Sequence, residues 1–366
     1  VLSDIDHILD QFEFIGDFLT AQPFGHGHIH DTYALQFEKS DKINHRYILQ
    51  RVNHRVFKDP LGLTRNVLAV TAHLRQKIIQ AGGDPQRETL TPIPTLSGEY
   101  IYRSDLGEYW RAYHFIENAQ TYEFPQDHRQ VYHAGKAYAG FQKLLADFPA
   151  GDLVETIPDF HNTPRRYQNL ISAVHRDPLH RAREAQEEIA FAVEREALTS
   201  ILVDKFSQGE LPERVTHNDT KFNNVMLDDE TGEGVCVIDL DTVMPGLSIY
   251  DFGDAIRSIA NKSAEDQGDL FEVGVDLLLY EHFTRGFLDA GRDFLTSAEI
   301  DLLPLSARLM TLESGLRFLT DYLEGDVYFK IHRPDHNLDR CRNQFKLVED
   351  MEDNSQAMSA IVQKYR

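Results

Sequence analysis

The sequence predicts an α+β protein, a small antiparallel sheet carrying one main helix followed by a larger, mostly helical region. Three observations carry this. Short β-branched and aromatic runs, YALQF, RYILQRV, EYIYR and YWRAYHFI, are separated by the turn-rich segments EKSDKIN and SDLGE. Between the second and third runs, LTRNVLAVTAHLRQKI spaces Leu63, Val67, Val70 and Leu74 for one helical face. After FIENAQTYEF helical periodicity takes over, first in AGKAYAGFQKLLADF, with Ala137, Tyr138, Phe141, Leu144, Leu145 and Phe148 on one side. Further helical stretches are expected near 180–207, 251–261, 266–290, 297–330 and 338–365. The strong strand pair of this half is NNVMLD with GVCVID, joined by the turn DETGE. With no repeat, low-complexity tract or long linker, two domains are expected, 1–117 and 118–366, joined by a short hinge. A cleft between a sheet-rich and a helical lobe is where a ligand is expected.

At 366 residues, 42% hydrophobic and 26% charged, the chain is long enough for two cores without disulfides. Its two cysteines, Cys236 and Cys341, have no paired spacing, which argues against a Cys-based zinc module and fits a reducing, cytoplasmic setting. No apolar run approaches the roughly 18 residues that span a bilayer, and VLSDIDHILDQF lacks the basic and apolar regions of a secretory signal. A net charge of −22 argues against nucleic acid and anionic membranes as partners. An acidic protein that handles a phosphorylated ligand calls for a divalent cation to offset repulsion.

The stretch FGHGHIHDTYAL admits three readings. His26, His28 and His30 would share one face of a strand, a possible metal geometry. Gly25 and Gly27 point instead to a loop whose backbone approaches a ligand closely, or to a plain hairpin turn.

More informative is VTHNDTKFNNVMLDDETGEGVCVIDLDTVMPG, residues 215–246. It places His217, Asp219, Lys221 and Asn224 on one loop and Asp239 at the end of the returning strand. Phosphoryl transfer needs such a set: a carboxylate to orient and deprotonate the attacking hydroxyl, and oxygen ligands for Mg2+. Asp219 has the position of the base, Asn224 and Asp239 offer metal oxygens, and Lys221 is placed to reach the transferring phosphate. The bland alternative, an Asx turn and a strand cap, accounts for any one of these residues but poorly for the set.

His-x-Asp-x-x-x-x-Asn, followed by Ile-Asp and YDFGD, resembles the aminoglycoside phosphotransferase and choline kinase family, which has the two-lobed protein-kinase-like fold. VTHNDTKFNNVMLD, IDLDTVMPG, YDFGDAIR, ESGLRFLTDYLEGDVYF and HNLDRCRNQFKLV are similar to the members that act on N-acetylhexosamines, over nearly the whole chain. The resemblance implies an ATP- and Mg2+-dependent transferase that phosphorylates the anomeric hydroxyl of N-acetylglucosamine or N-acetylgalactosamine. Residues 1–117 become the nucleotide-binding lobe and 118–366 the catalytic, substrate-binding lobe. It makes Asp219 the catalytic base, in contact with substrate, Asn224 and Asp239 the metal ligands, and Arg317 a sugar contact. Gly25, Gly27 and His28 then belong to a flap over the ATP phosphates, with His26 and His30 in support. Phe115, Ile116 and Glu117 are expected to meet the adenine edge, a simple strand end being the alternative.

Several residues remain open. Arg317, in LMTLESGLRFLTDYL, either faces a wet pocket or pairs with Glu313 four residues earlier. Asp251 and Asp254 fit capping and loop bracing, while Asp241 is open to second-sphere support or a substrate hydroxyl. PDFHNTPRRY reads chiefly as loop packing, with a sugar contact as the sharper alternative. Cys341, Phe345, Val348 and Met358 share a helical face that packs internally or against a second copy, so a monomer or weak homodimer is expected. Two departures stand out: Gln50 occupies the third-strand position where protein kinases carry lysine, and GHGHIH is G-x-G-x-x-H rather than G-x-G-x-x-G. The competing functions are a kinase for an aminoglycoside, choline or another amino alcohol, and a catalytically silent nucleotide-binding relative, which Gln50 would permit.

Overall fold

The computed structural model describes residues 2–25, 29–39 and 44–366. In chain order the elements are α1 (Leu2–Leu9), β1 (Asp17–Pro23), β2 (Asp31–Glu38), β3 (Asn44–Val52), α2 (Pro60–Ala81), β4 (Pro92–Ile93), β5 (Tyr102–Arg103), β6 (Tyr109–His114) and β7 (Ala119–Gln120). There follow α3 (His128–Leu144), α4 (Thr163–Arg176), α5 (Gln186–Glu194), α6 (Glu196–Thr199), α7 (Ile201–Ser207), β8 (Arg214–Thr216), β9 (Val225–Asp228), β10 (Gly234–Val237) and β11 (Met244–Gly246). The chain ends in α8 (Ser248–Ile259), α9 (Leu277–Gly291), α10 (Ser297–Asp301), α11 (Leu303–Glu324), α12 (His336–Asp353) and α13 (Ser355–Tyr365). Two compact units result: residues 1–119 with 151–158 and 235–244, and the remainder. A single cut between 117 and 118 leaves those two later segments with the helical part, so the sequence alone does not anticipate their place.

In the first unit the sheet runs β1-β2-β3-β6-β4, with β5 also paired to β6, and its pairs are antiparallel. Leu35, Tyr47, Leu49, Trp110 and Ala112 line one cluster with Ile5, Ile8 and Phe12. The face predicted for α2 is buried at Leu63, Val67, Val70 and Leu74. Asp59 caps that helix by accepting from Gly62 N at 2.8 Å, and Gly82 ends it at φ +81°. One row crosses β2, β3 and β6 at Thr32, Gln50 and Arg111, which the register sets side by side.

The second unit is helical, and several predicted stretches are broken in it. Residues 266–276 are not α-helical; Asp350 Oδ2 holds Val275 N at 2.7 Å, and α9 begins only after Asp276, whose carboxylate accepts from Leu278 N and Leu279 N. The stretch 338–365 divides at Asn354 into α12 and α13, so Met358 does not share a helix with Cys341, Phe345 and Val348, although all four are buried. Helix α11 stops at Gly325, φ +104°. On α3, Tyr138 and Phe141 are buried, but Ala137 and Leu144 only partly so; the helix ends at Leu144, so Leu145, buried, and Phe148, half-buried, fall beyond it. The inward face of α3 is rotated because Gly135 and Gly286 let α3 and α9 approach closely: a Cβ on Gly286 would lie 2.0 Å from Tyr132 O. No helix among the described residues is long and apolar enough to cross a membrane.

Gly286→Ala must push one helix backbone off the other, because the obstructing atom is a carbonyl. We expect it to lower urea-unfolding stability by about 1–3 kcal/mol. Gly140→Ala on α3 meets nothing within 4 Å and should raise stability by a fraction of about 1 kcal/mol; equal midpoints for the two variants would contradict this packing.

Candidate active site

In the helical unit, β8 runs into the loop that carries His217, Asn218, Asp219, Thr220 and Lys221, and a short 3-10 turn brings in Asn224 before β9. Its backbone donors are met mainly by α8. Asp251 accepts from His217 N at 2.9 Å and Asn218 N at 2.7 Å, and Asp254 accepts from Thr220 N at 2.9 Å. The two carboxylates are therefore loop braces rather than caps of their own helix. Gln142 on α3 donates to Asp251 at 2.6 Å, and Tyr138 OH donates to Lys221 O at 2.6 Å. Burial pushes the Asp251 carboxyl above its ordinary range. Burial acts the same way on Asp254, but Arg257, His161 and Lys221 outweigh it and hold that carboxyl below its usual range. Arg257 in turn reaches Glu265 at 2.6 Å.

The loop brings Asp219, Lys221 and Asn224 together. Lys221 Nζ lies 2.9 Å from Asp219 Oδ1, and Asp219 holds its ammonium above the ordinary lysine range. Asn224 Nδ2 donates to Asp219 O at 2.8 Å, leaving the amide oxygen as the atom it can offer a cation. Asn218 is left-handed at φ +67°, a conformation Asn tolerates, and this carries the chain through the corner before Asp219.

In the sheet-containing unit, Asp239 lies just past β10 at φ +59°. Two residues on, Asp241 is buried and engaged through both oxygens: Arg111 Nη1 to Oδ1 at 2.6 Å, Arg111 Nη2 to Oδ2 at 2.8 Å, and His30 Nε2 to Oδ2 at 2.5 Å. That corrects the substrate-hydroxyl reading of Asp241, whose carboxylate braces the structure instead. Burial would raise the Asp241 pKa, yet Arg111 and His30 hold it well below the carboxylate range. His30 Nδ1 accepts from Asn53 N at 3.0 Å, so the ring proton is on Nε2 and points to Asp241. His30, Asp239 and Asp241 offer ligand atoms within 4.8 Å of one another, but both nitrogens of His30 are committed, which disposes of it as a metal ligand. Gln50 Oε1 accepts from Arg111 Nε at 3.1 Å and Nη2 at 2.9 Å, and Gln50 Nε2 donates to Thr32 at 3.1 Å. The cation on this part of the sheet is thus Arg111 of β6, not a third-strand lysine.

Gly25 has φ +78°, and a Cβ there would meet nothing within 4 Å. Gly27 and His28, with His26, lie outside the described residues. At the end of β6, Phe115 N donates to Arg46 O at 3.2 Å, and Glu117 O accepts from Arg87 at 3.3 Å. The Glu117 carboxylate pairs with Arg46, whose guanidinium lies 3.8 Å from the Phe115 ring centre. Among the described residues Ile116 has neither backbone group engaged in a hydrogen bond.

Arg317 lines a cavity of about 360 Å3 in the helical unit, with Arg166, Arg176, Asp321, Tyr328 and Phe329 among its walls. The ion pair with Glu313 does not form, since Glu313 is engaged by His161 at 2.8 Å and Thr163 at 2.6 Å. Instead the Arg317 guanidinium packs among Phe160, Tyr328 and Phe329, its Cζ 5.0, 5.9 and 5.5 Å from the ring centres. Asp321 accepts from the backbone N of Val327, Tyr328 and Phe329 and so folds the two aromatic residues onto the cavity. Sequence reasoning missed Arg111, and took His161 and Arg166 only as members of PDFHNTPRRY, read chiefly as loop packing. The last two had a signal: Asn162-Thr163-Pro164 is an N-cap followed by proline in the first turn, the start of α4. Arg111 had none, because its partner is 130 positions away.

A model described as "Phosphotransferase enzyme family" matches residues 20–282, more than half of the chain. Among solved structures, a microcompartment-associated aminopropanol kinase aligns at TM-score 0.64 and 17% identity, covering 98% of this chain and 99% of that one. A spectinomycin phosphotransferase in complex with ADP and spectinomycin aligns at 0.60 and 15%, covering 96% and 98%. A choline kinase from Cryptosporidium parvum aligns at 0.59 and 12%, covering 100% and 99%. At these identities the likeness is one of fold, the α+β protein-kinase-like fold of small-molecule phosphotransferases.

Asp241, Asp254 and Glu313 all have carboxyl pKa values lowered in the folded protein. Each contributes stability that is present above the unfolded carboxylate pKa of about 4 and is lost as pH falls through the lower folded value. Urea midpoints should therefore drop below about pH 4. Asp241→Asn leaves Arg111 buried without its counter-charge, so it should cost about 3–5 kcal/mol at pH 7 and flatten the acid decline; a decline as steep as that of the unmodified chain would contradict the pairing.

Proposed function

The chain belongs to this phosphotransferase family, and we propose that it transfers the γ-phosphate of ATP to the anomeric hydroxyl of an N-acetylhexosamine, releasing the sugar 1-phosphate and ADP. The observation that carries the choice of acceptor is the guanidinium of Arg317, which has no ion-pair partner among the described residues, in a cavity whose carboxylates already have partners. Asp321 is taken up by backbone N–H groups, and Glu324 pairs with Arg176. The charged donors facing the cavity are guanidinium groups, beside the rings of Tyr328 and Phe329 and the neutral amide of Asn169. Such a wall favours a neutral ligand rich in hydroxyl and acetamido oxygens and repels an ammonium.

On this reading Asp219 orients the anomeric hydroxyl and takes its proton as the oxygen attacks the γ-phosphorus and the bond to the leaving ADP oxygen breaks. Lys221, 2.9 Å from Asp219 Oδ1, holds that carboxylate in place before substrate arrives. Mg2+, for which Asn224 and Asp239 would each provide one hard oxygen, offsets the phosphate charge when bound. Gly25, Gly27 and His28 would lie over the phosphates and Ile116 against the adenine edge, while Arg317 would donate to sugar oxygens. A second reading, an amino-alcohol or aminoglycoside acceptor, is favoured by what the aminopropanol kinase, choline kinase and spectinomycin phosphotransferase are named for.

The deciding measurement is a panel of neutral N-acetylhexosamines and cationic amino alcohols with ATP and Mg2+, with the phosphorylated position read by phosphorus NMR. Sugar 1-phosphate is expected; phosphorylation of the cationic acceptors alone would establish the second reading, and no turnover on any acceptor would favour a silent relative. Asp219→Asn should lower kcat by about a hundredfold or more. Arg317→Ala should raise the acceptor KM by roughly tenfold to a hundredfold, the loss of a charged hydrogen bond worth about 1.5–3 kcal/mol, and leave the KM for ATP unchanged.

A further inference from the structure

The loop before α4 holds a residue that neither the motif nor the fold assigns. His161 lies edge-on between two elements of the helical unit: Nδ1 is 2.8 Å from Glu313 Oε1 on α11, and Nε2 is 3.1 Å from Asn218 O in the loop that carries Asp219. Both partners are acceptors, a carboxylate and a carbonyl, so the geometry is satisfied when both ring nitrogens carry protons. The ring is almost wholly enclosed, with 7% of its side chain exposed against 1% for Glu313, and Tyr250 packs at 5.3 Å. Thr163 donates to the other oxygen of Glu313 at 2.6 Å, so the carboxylate is fixed on both sides. Arg317 follows Glu313 by one turn of α11, and the residue before His161, Phe160, lies against the Arg317 guanidinium. Arg166 fixes Phe160 in turn by donating to its carbonyl from Nε at 3.1 Å and Nη2 at 2.9 Å.

We infer that His161 is a positioning residue that couples the acceptor wall at Arg317 to the base at Asp219, by holding the peptide between Asn218 and Asp219 from its carbonyl side. Asp251 holds Asn218 from its N–H side, and His161 supplies the opposing hold. With both in place, the left-handed corner at Asn218 has one orientation, and the carboxylate that follows it has a fixed direction. The Glu313 carboxylate fixes the His161 ring from the other side and thereby reaches the base without touching it. This rests on the reading of Asp219 as the base and of the Arg317 cavity as the acceptor site.

The test is steady-state kinetics of His161→Gln, Glu313→Gln and the double variant, on whichever acceptor the unmodified protein phosphorylates, with thermal melting of each. Because a misdirected base acts on the rate and not on the nucleotide, we expect each single variant to lose about tenfold or more in kcat with the KM for ATP unchanged. The double variant should lose no more than His161→Gln alone, the mark of groups acting in series. A folded His161→Gln or Glu313→Gln with kcat within twofold of the unmodified protein overturns the inference, as do losses that multiply in the double variant. Failure of both single variants to fold also overturns it, since the pair would then serve the fold and not the rate. Asp219→Asn run beside them separates the two ideas: turnover retained there defeats the base reading, whereas its loss with normal His161 and Glu313 variants defeats only the coupling.

Discussion

Two carboxylates one turn apart on α8 hold the loop that bears Asp219, and the local structure of the helical unit is arranged around that capture. Strand β8 is only three residues long, so it cannot satisfy the donors of the residues that follow it. Asp251 and Asp254 take three of those N–H groups, and Thr220 Oγ1 returns a bond to Asp251 O at 2.6 Å. Hydrogen bonds to ionised acceptors are worth about 1.5–3 kcal/mol each, enough to hold a corner that includes a left-handed residue. The two acids are balanced differently. Asp254 has Arg257 against it and stays ionised, whereas Asp251 is held by neutral donors and the polar groups of His217 and Gln142, and burial drives its pKa up.

The sheet-containing unit solves a comparable problem with one arginine. A buried ion pair is tolerable only when the remaining donors are met, and Arg111 meets that condition through Gln50 and Asp241 together. Gln50 and Arg111 face each other across β3 and β6, so the absence of lysine on the third strand and the presence of a buried guanidinium on its neighbour are one arrangement. A lysine at position 50 would bring a second cation against Arg111 and remove the oxygen that it uses. Asp241, thus fixed, anchors the turn that leaves Asp239 two residues earlier.

Much of this was readable from the chain because the relevant contacts are local. Asp219, Lys221 and Asn224 fall on one loop since six residues of chain contain them all, and the α2 face follows from its spacing. The roles of Asp251 and Asp254 as braces were legible as residue types at a helix start, but what they brace lies 31 to 34 positions earlier. Arg111 with Asp241, and His161 with Glu313, are joined by topology across more than a hundred positions, and no spacing rule reaches that far. The helix boundaries failed where side chains overrode periodicity, as at Val275, whose N–H is drawn to Asp350 and not to the preceding turn. The left-handed backbone at Asp239 left no mark, because an aspartate after a strand is equally compatible with an extended continuation.

The net charge of a chain does not fix the charge around one of its cavities. The chain carries −22 overall, which on its own would favour a cationic acceptor. Around Arg317 the balance is reversed, not by an excess of basic residues in the sequence but by what the nearby acids already hold. Asp321 accepts from backbone N–H groups of the very loop that delivers Tyr328 and Phe329, and from Asn337 Nδ2 at 2.9 Å. Glu313 is turned to His161 and Glu324 to Arg176. Each acid near Arg317 thus does structural work elsewhere, and the guanidinium is left with aromatic faces as its company. Because these acids shape the walls by the same bonds that engage their oxygens, freeing them would cost the cavity its form, and it is this construction that motivates the neutral, oxygen-rich acceptor proposed above.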